Sequence, residues 1–207
     1  MGTDRTTWRE FVHAFVPFAL LLTIANLAAE TRPNPTLARA AYTIWATFLL
    51  AVPALVLFAL YDLRRAPRGV YVYWRLFWTF AYLAYLAHLY VAVGVFFGWD
   101  FRAIAAKQTW PVAATNYALT VLWGLEVLIA LVAGRRAGGW FTAYQWLTHL
   151  LFVAMVYVSA IQFKSGVVEA IGWVLVVFFA GALLTRGIFG DTSRWTAPVT
   201  AGGVPAR

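Results

Sequence analysis

The sequence predicts an all-α fold: a polytopic integral membrane protein, a bundle of six transmembrane helices with a short outer interfacial helix between helices 3 and 4. Three observations predict it. Of 207 residues, 63% are apolar and only 12% are charged, about half the ~25% charged share of a soluble domain. Six apolar stretches recur along the chain, each near the ~20 residues that cross a hydrocarbon core of ~30 Å at 1.5 Å per residue. Charged, proline and glycine residues are concentrated in the breaks between them.

The first stretch, 11–29, follows Arg5 and Arg9. With small residues at Ala28 and Ala29 it has some features of a cleavable signal. His13 and Pro17 interrupt the run, however, and Leu27 occupies a position that wants a small residue, so the segment is read as a retained span. Arg32-Pro33-Asn34-Pro35 separates it from the second stretch, 41–61. Arg64-Arg65-Ala66-Pro67-Arg68-Gly69 precedes the third, 74–98. In the connection 99–112, Asp100 is placed to cap a helix and Pro111 to restart one, while Phe101, Ile104 and Ala105 share one helical face. That pattern predicts a short helix on the membrane surface. The fourth stretch, 113–133, ends at Arg135-Arg136-Ala137-Gly138-Gly139; the fifth, 141–163, and the sixth, 168–188, are divided only by a tight turn at Lys164-Ser165-Gly166. Residues 1–190 thus form one transmembrane domain. Residues 191–207, rich in Thr, Pro, Gly and Ala without apolar period, read as a disordered cytoplasmic tail.

Orientation follows from the basic residues. The N-terminus, the 62–75 and 134–140 loops and the C-terminus hold eleven Lys and Arg, against five on the opposite side. This excess predicts that both termini are cytoplasmic, the arginine runs around Arg64 and Arg135 serving as topology anchors. The net charge of +8 is therefore a membrane signal, not one for nucleic acid; the expected partners are the lipid bilayer and a lipophilic small molecule. Tryptophans mark the same boundaries: Trp8, Trp74, Trp78, Trp140, Trp146 and Trp195 toward inner ends, Trp45, Trp99, Trp110 and Trp173 toward outer ends. Trp123 alone falls mid-span. Arginine outnumbers lysine 14 to 2 and alanine is abundant, the usage of a GC-rich bacterial genome, which points to a bacterial inner membrane. The chain has no cysteine, excluding disulfides, thiolate metal sites and cysteine nucleophiles.

Three ionisable groups stand out because they fall inside apolar spans: His88, Glu126 and His149. Such groups cost ~2.5–3.5 kcal/mol to insert at mid-membrane, so they face a bundle interior and mark function more often than elsewhere. Counting from the span centres places Glu126 and His149 at one depth, with His88 about 6 Å further out at 1.5 Å per residue. His88 shares its helical face with Ala81, Ala84 and Ala92, small residues that permit close helix approach. His149 shares its face with Gln145, a hydrogen-bond partner for Glu126 or a substrate. Tyr85-Leu86-Ala87-His88-Leu89 and Trp146-Leu147-Thr148-His149-Leu150 share one pattern, and Arg75 and Arg136 each stand 13 residues before their histidine. Helices 3–4 and 5–6 therefore read as a degenerate hairpin repeat.

Several chemistries fit this set. His88, Glu126 and His149 are the ligand types of a non-haem metal site, and His88 with His149 could ligate a haem b. Glu126 and Gln145 could serve as catalytic groups in redox or acid–base chemistry on a quinone or isoprenoid. A proton relay in a small proton-coupled transporter uses the same groups, with Pro53 as a flexible element. The plainest alternative is a polar cluster that locks helix register in a non-catalytic assembly subunit. His13 reads as an interfacial histidine. Thr23, Asn26 and Glu30, on one face at the outer end of helix 1, could line a vestibule or mark where the helix meets water. Phosphate-binding Gly loops, Ser–His–Asp order and HExxH are absent from the sequence.

Overall fold

The structure, a computed structural model, describes residues 5–162 and 166–190. Among these there are seven α-helices and no strand: α1 (Trp8–Glu30), α2 (Pro35–Leu60), α3 (Arg68–Leu89), α4 (Phe101–Gln108), α5 (Trp110–Val132), α6 (Gly139–Val156) and α7 (Val167–Phe189). Two of them continue as π-helix at their far ends, α3 through Tyr90–Phe96 and α6 through Tyr157–Gln162. Six helices, all except α4, are long and apolar enough to cross a membrane. The tail from 191 onward and most of the turn at Lys164-Ser165-Gly166 lie outside the described residues.

α1 and α2 start earlier than the apolar runs because capping residues, not hydrophobicity, set their first turns. Thr7 accepts from the backbone N–H of Glu10, while the Glu10 carboxylate takes the N–H of Thr7 at 2.8 Å. This reciprocal capping box satisfies two donors that a helix start leaves orphaned, and such a cap is worth about 1 kcal/mol. Asn34 caps α2, with Pro35 in its first turn, so this helix begins six residues before the expected 41. Asp100 caps α4 as expected, accepting from Arg102 and Ala103, and Pro111 sits in the first turn of α5. Of the α4 residues expected on one face, Ile104 is buried whereas Phe101 is exposed. Pro17 and Pro53 lie inside α1 and α2, each depriving the carbonyl four residues earlier of its helical donor.

The arginine-rich loops gather at one end of the bundle. Arg68 forks onto Glu10 at 2.6 and 3.0 Å and also reaches the Arg5 carbonyl. Arg75 donates to Thr6 at 2.9 Å, and Arg135 to the carbonyls of Ala66 and Pro67 at 2.7 and 3.2 Å. The N-terminal segment, the α2–α3 link and the α5–α6 link therefore share a side, as an alternating six-span path requires. At the other end Arg39 pairs with Glu30, and Arg32 Nε donates to the Tyr42 hydroxyl at 2.7 Å.

Between these ends α2 packs against α1, α3 and α7, and α5 packs against α3 and α6. Tyrosine hydroxyls hold α5 in place. Tyr71, Tyr82 and Tyr85 of α3 donate to the carbonyls of Ala130, Thr120 and Asn116, and Tyr144 of α6 donates to Leu122. Where no water competes, a hydroxyl needs such an acceptor, so these bonds fix register as well as proximity. Gly124 makes the approach possible: a Cβ there would lie 2.4 Å from the Tyr82 hydroxyl.

The tryptophans differ in burial, with Trp45 and Trp146 half-buried between two extremes. Trp8 and Trp140 at one end and Trp99, Trp110 and Trp173 at the other are exposed, as interfacial belts require. Trp74 and Trp78 are not belt residues: both are buried in the core, because α3 turns the stripe Tyr71, Trp74, Trp78, Ala81, Tyr85 inward. Trp123 is buried too, against Trp78, Phe152 and the rings of Tyr82 and Tyr85.

Candidate functional site

The core closes around one polar pair. α5 carries Glu126 and α6 carries His149 into the same interior position, with Nδ1 of the imidazole 3.4 Å from Oε1 of the carboxyl group. Both side chains are 0% exposed. The imidazole lies between two rings, Phe58 of α2 at 3.9 Å and Trp78 of α3 at 4.2 Å between centroids, nearly parallel to each.

Hydrogen bonds define the tautomer. The Trp74 indole N–H points at Nε2 of His149 at 3.3 Å. An indole nitrogen only donates, so Nε2 is the acceptor and the ring proton sits on Nδ1. That proton is directed to the Gln145 carbonyl, 2.8 Å away. Both ring nitrogens are thus engaged, and the Glu126 carboxyl group is a second neighbour of the Nδ1–H.

Glu126 is held less well. Trp78 and Thr148 flank its carboxyl group, yet neither oxygen meets a donor in full hydrogen-bonding geometry, and Trp78 Nε1 is likewise unpartnered. The Thr148 hydroxyl instead donates to the Tyr144 carbonyl at 3.1 Å. A buried polar group without a partner costs ~1–3 kcal/mol, so this arrangement does little for stability. Gln145, one turn from His149, is buried, and its amide Nε2 also lacks an acceptor.

His88 stands apart from this pair. It is half-buried, and its Nδ1 faces the Ala40 carbonyl of α2 at 2.8 Å. Its five-residue context matches that of His149, but the partners differ: one histidine bonds across helices, the other to its own preceding turn. Among the described residues no group of three His, Asp or Glu side chains converges as a metal-ligand set. His13 pairs with the Tyr73 hydroxyl at 2.9 Å, near the arginine-rich end.

Sequence reading singled out His88, Glu126, Gln145 and His149; the structure brings Glu126 and His149 together, with Gln145 one turn from His149, and leaves His88 apart. It missed Phe58, Trp74 and Trp78, which enclose the imidazole. The signal for the two tryptophans was present: 71, 74, 78, 81 and 85 follow the three–four spacing of a buried helical stripe, whereas position near a span end suggested an interface. Comparison with protein families, with characterised proteins and with solved structures returns no match, so the functional argument rests on this geometry.

Proposed function

We propose that this chain is a multi-pass protein of a bacterial inner membrane, both termini cytoplasmic, whose Glu126–His149 pair is an acid–base site for a lipophilic substrate of quinone or isoprenoid type. One observation carries the reading. A wholly buried carboxyl group has both oxygens unpartnered and lies 3.4 Å from the Nδ1 of a neutral imidazole. A group serving only to lock helix register would be expected to spend its oxygens on hydrogen bonds. Here no donor is fully aligned with either oxygen, so the carboxyl group can exchange a proton without breaking a well-formed hydrogen bond. Glu126 is the proton-exchanging group, His149 its neighbour held in one tautomer by Trp74 and Gln145, and the Gln145 amide a donor for a substrate oxygen. A haem or metal reading would need a ring nitrogen of His149, both of which are engaged, by Trp74 and by the Gln145 carbonyl, and also His88, which faces Ala40; acid–base chemistry needs neither to move.

The test is calorimetric. Purified full-length chain is titrated with a short-chain quinone and with a short-chain isoprenyl alcohol, in buffers of different ionisation enthalpy. Proton-linked binding gives a heat that changes with buffer, and Glu126→Gln removes that dependence. Heats that are buffer-independent, or unchanged in Glu126→Gln, would refute the proposal. So would a haem absorption band or stoichiometric metal in the purified protein.

A second reading, a proton-coupled carrier, is favoured by a separate observation. The helices that carry His88 and His149, α3 and α6, both end in π-helix, a geometry frequent at functional sites that departs from the regular backbone ladder. Uptake driven by a pH gradient in proteoliposomes, abolished in Glu126→Gln, would select this reading.

A further inference from the structure

A cavity of about 140 Å³ opens at the arginine-rich end, between the end of α2, the start of α6 and the last turn of α7. At ~30 Å³ per water, it holds several waters or one small polar head group. Two guanidinium groups line it, Arg64 and Arg186, against one carboxylate, Asp62. Arg64 Nε lies 3.7 Å from Asp62, and Arg186 spends one weak contact, 3.4 Å, on the Ala59 carbonyl. Each guanidinium has five N–H donors, so most of this donor capacity is not accounted for by those contacts.

The rest of the lining differs in character. Gln145, only 3% exposed, is part of it, and its amide nitrogen lacks an acceptor. Phe58 and Trp146 form an apolar wall, their rings edge to face at 4.6 Å. The lining therefore combines two cations, a buried amide without an acceptor, and an aromatic side. Planar guanidinium forks suit a phosphate, while aromatic walls suit a hydrocarbon tail.

We propose that this cavity binds the phosphate head of an amphiphile, with Arg64 and Arg186 on the phosphate oxygens, the Gln145 amide as a third donor, and the first carbons of the tail against Phe58 and Trp146. The inference rests on the cavity's own lining and does not require proton exchange at Glu126, although Gln145 and Phe58 also border that site. A membrane phospholipid and a soluble alkyl phosphate share this chemistry.

The experiment uses full-length chain in a neutral maltoside detergent, titrated with octyl phosphate while thermal unfolding is followed. Octyl phosphate is expected to raise the midpoint saturably. Octyl glucoside, with the same tail and no charge, should not, and inorganic phosphate should act only at higher concentration. Arg64→Gln and Arg186→Gln should each weaken octyl phosphate by roughly tenfold or more, the loss expected for a hydrogen bond to a charged group. Arg9→Gln, an exposed arginine that does not line the cavity, should bind as wild type. Should an arginine variant fail to fold, Gln145→Leu removes the buried amide and gives the same readout. Repeating the titration in nanodiscs distinguishes the sources: phosphatidylglycerol competing with octyl phosphate assigns the cavity to lipid, and no competition assigns it to a soluble amphiphile. Equal response to octyl glucoside, or arginine variants that bind like wild type, would overturn the proposal. Glu126→Gln should leave octyl phosphate binding intact, so failure of the acid–base reading and failure of this one are separable.

Discussion

At the scale of single residues, Glu126 and His149 occupy one site but contribute differently. The imidazole is stacked between Phe58 and Trp78 and accepts from Trp74; truncating it opens a cavity and strands an indole N–H. His149→Ala should therefore lower stability by about 2–4 kcal/mol. Glu126, with both oxygens unpartnered, contributes little of that kind. Glu126→Leu, an apolar group of similar size, should stay within about 1 kcal/mol of wild type or exceed it. Thermal unfolding in detergent reads both; a large loss in Glu126→Leu would assign the carboxyl group a structural role. Much of this site was legible in the sequence, because ionisable residues in apolar spans are rare enough to be noticed. The depth count already paired Glu126 with His149; what could not be read was what holds each histidine. His88 and His149 have the same local context, and only packing against α2, through Ala40 for one and Phe58 for the other, separates their roles.

At the scale of elements, the structure turns on how α5 meets its neighbours. Tyr82 can reach the Thr120 carbonyl only because position 124 has no side chain. Gly124→Ala should cost about 1–3 kcal/mol, the range for overpacking a tight core. Tyr82→Phe in the same chain should recover part of that loss by removing the atom a Cβ would strike. No recovery in the double variant would mean the α3–α5 approach is set elsewhere. α7 meets the π-segment of α6 in a similar way, where a Cβ at Gly172 would lie 3.0 Å from both Ala160 and Ile161. The spans themselves were plain from hydropathy. The early starts of α2 and α3 were not, since their first turns are polar and belong to caps and loop contacts. The inward turn of Trp74 and Trp78 was obscured by tryptophan's equal fitness for a core and for an interface.

At the scale of the whole molecule, contacts among the N-terminal segment, the α2–α3 link and the α5–α6 link place the arginine-rich loops at one end. The absence of native cysteine makes topology simple to test. Single cysteines at Arg65 and Gly138 should react with an impermeant maleimide from one side, cytoplasmic in the proposed orientation, and one at Lys107 from the other. Labelling of all three from one face would contradict the six-span path. Among the described residues, the enclosed polar pair and the cationic cavity are joined through Gln145 and Phe58, which border both. The proposed proton exchange at Glu126 inside the bundle is read by infrared difference spectroscopy of the reconstituted protein between two pH values. A carboxylic-acid carbonyl band is expected in the wild-type difference spectrum and is missing in Glu126→Gln. Identical spectra from the two proteins in that region would contradict it.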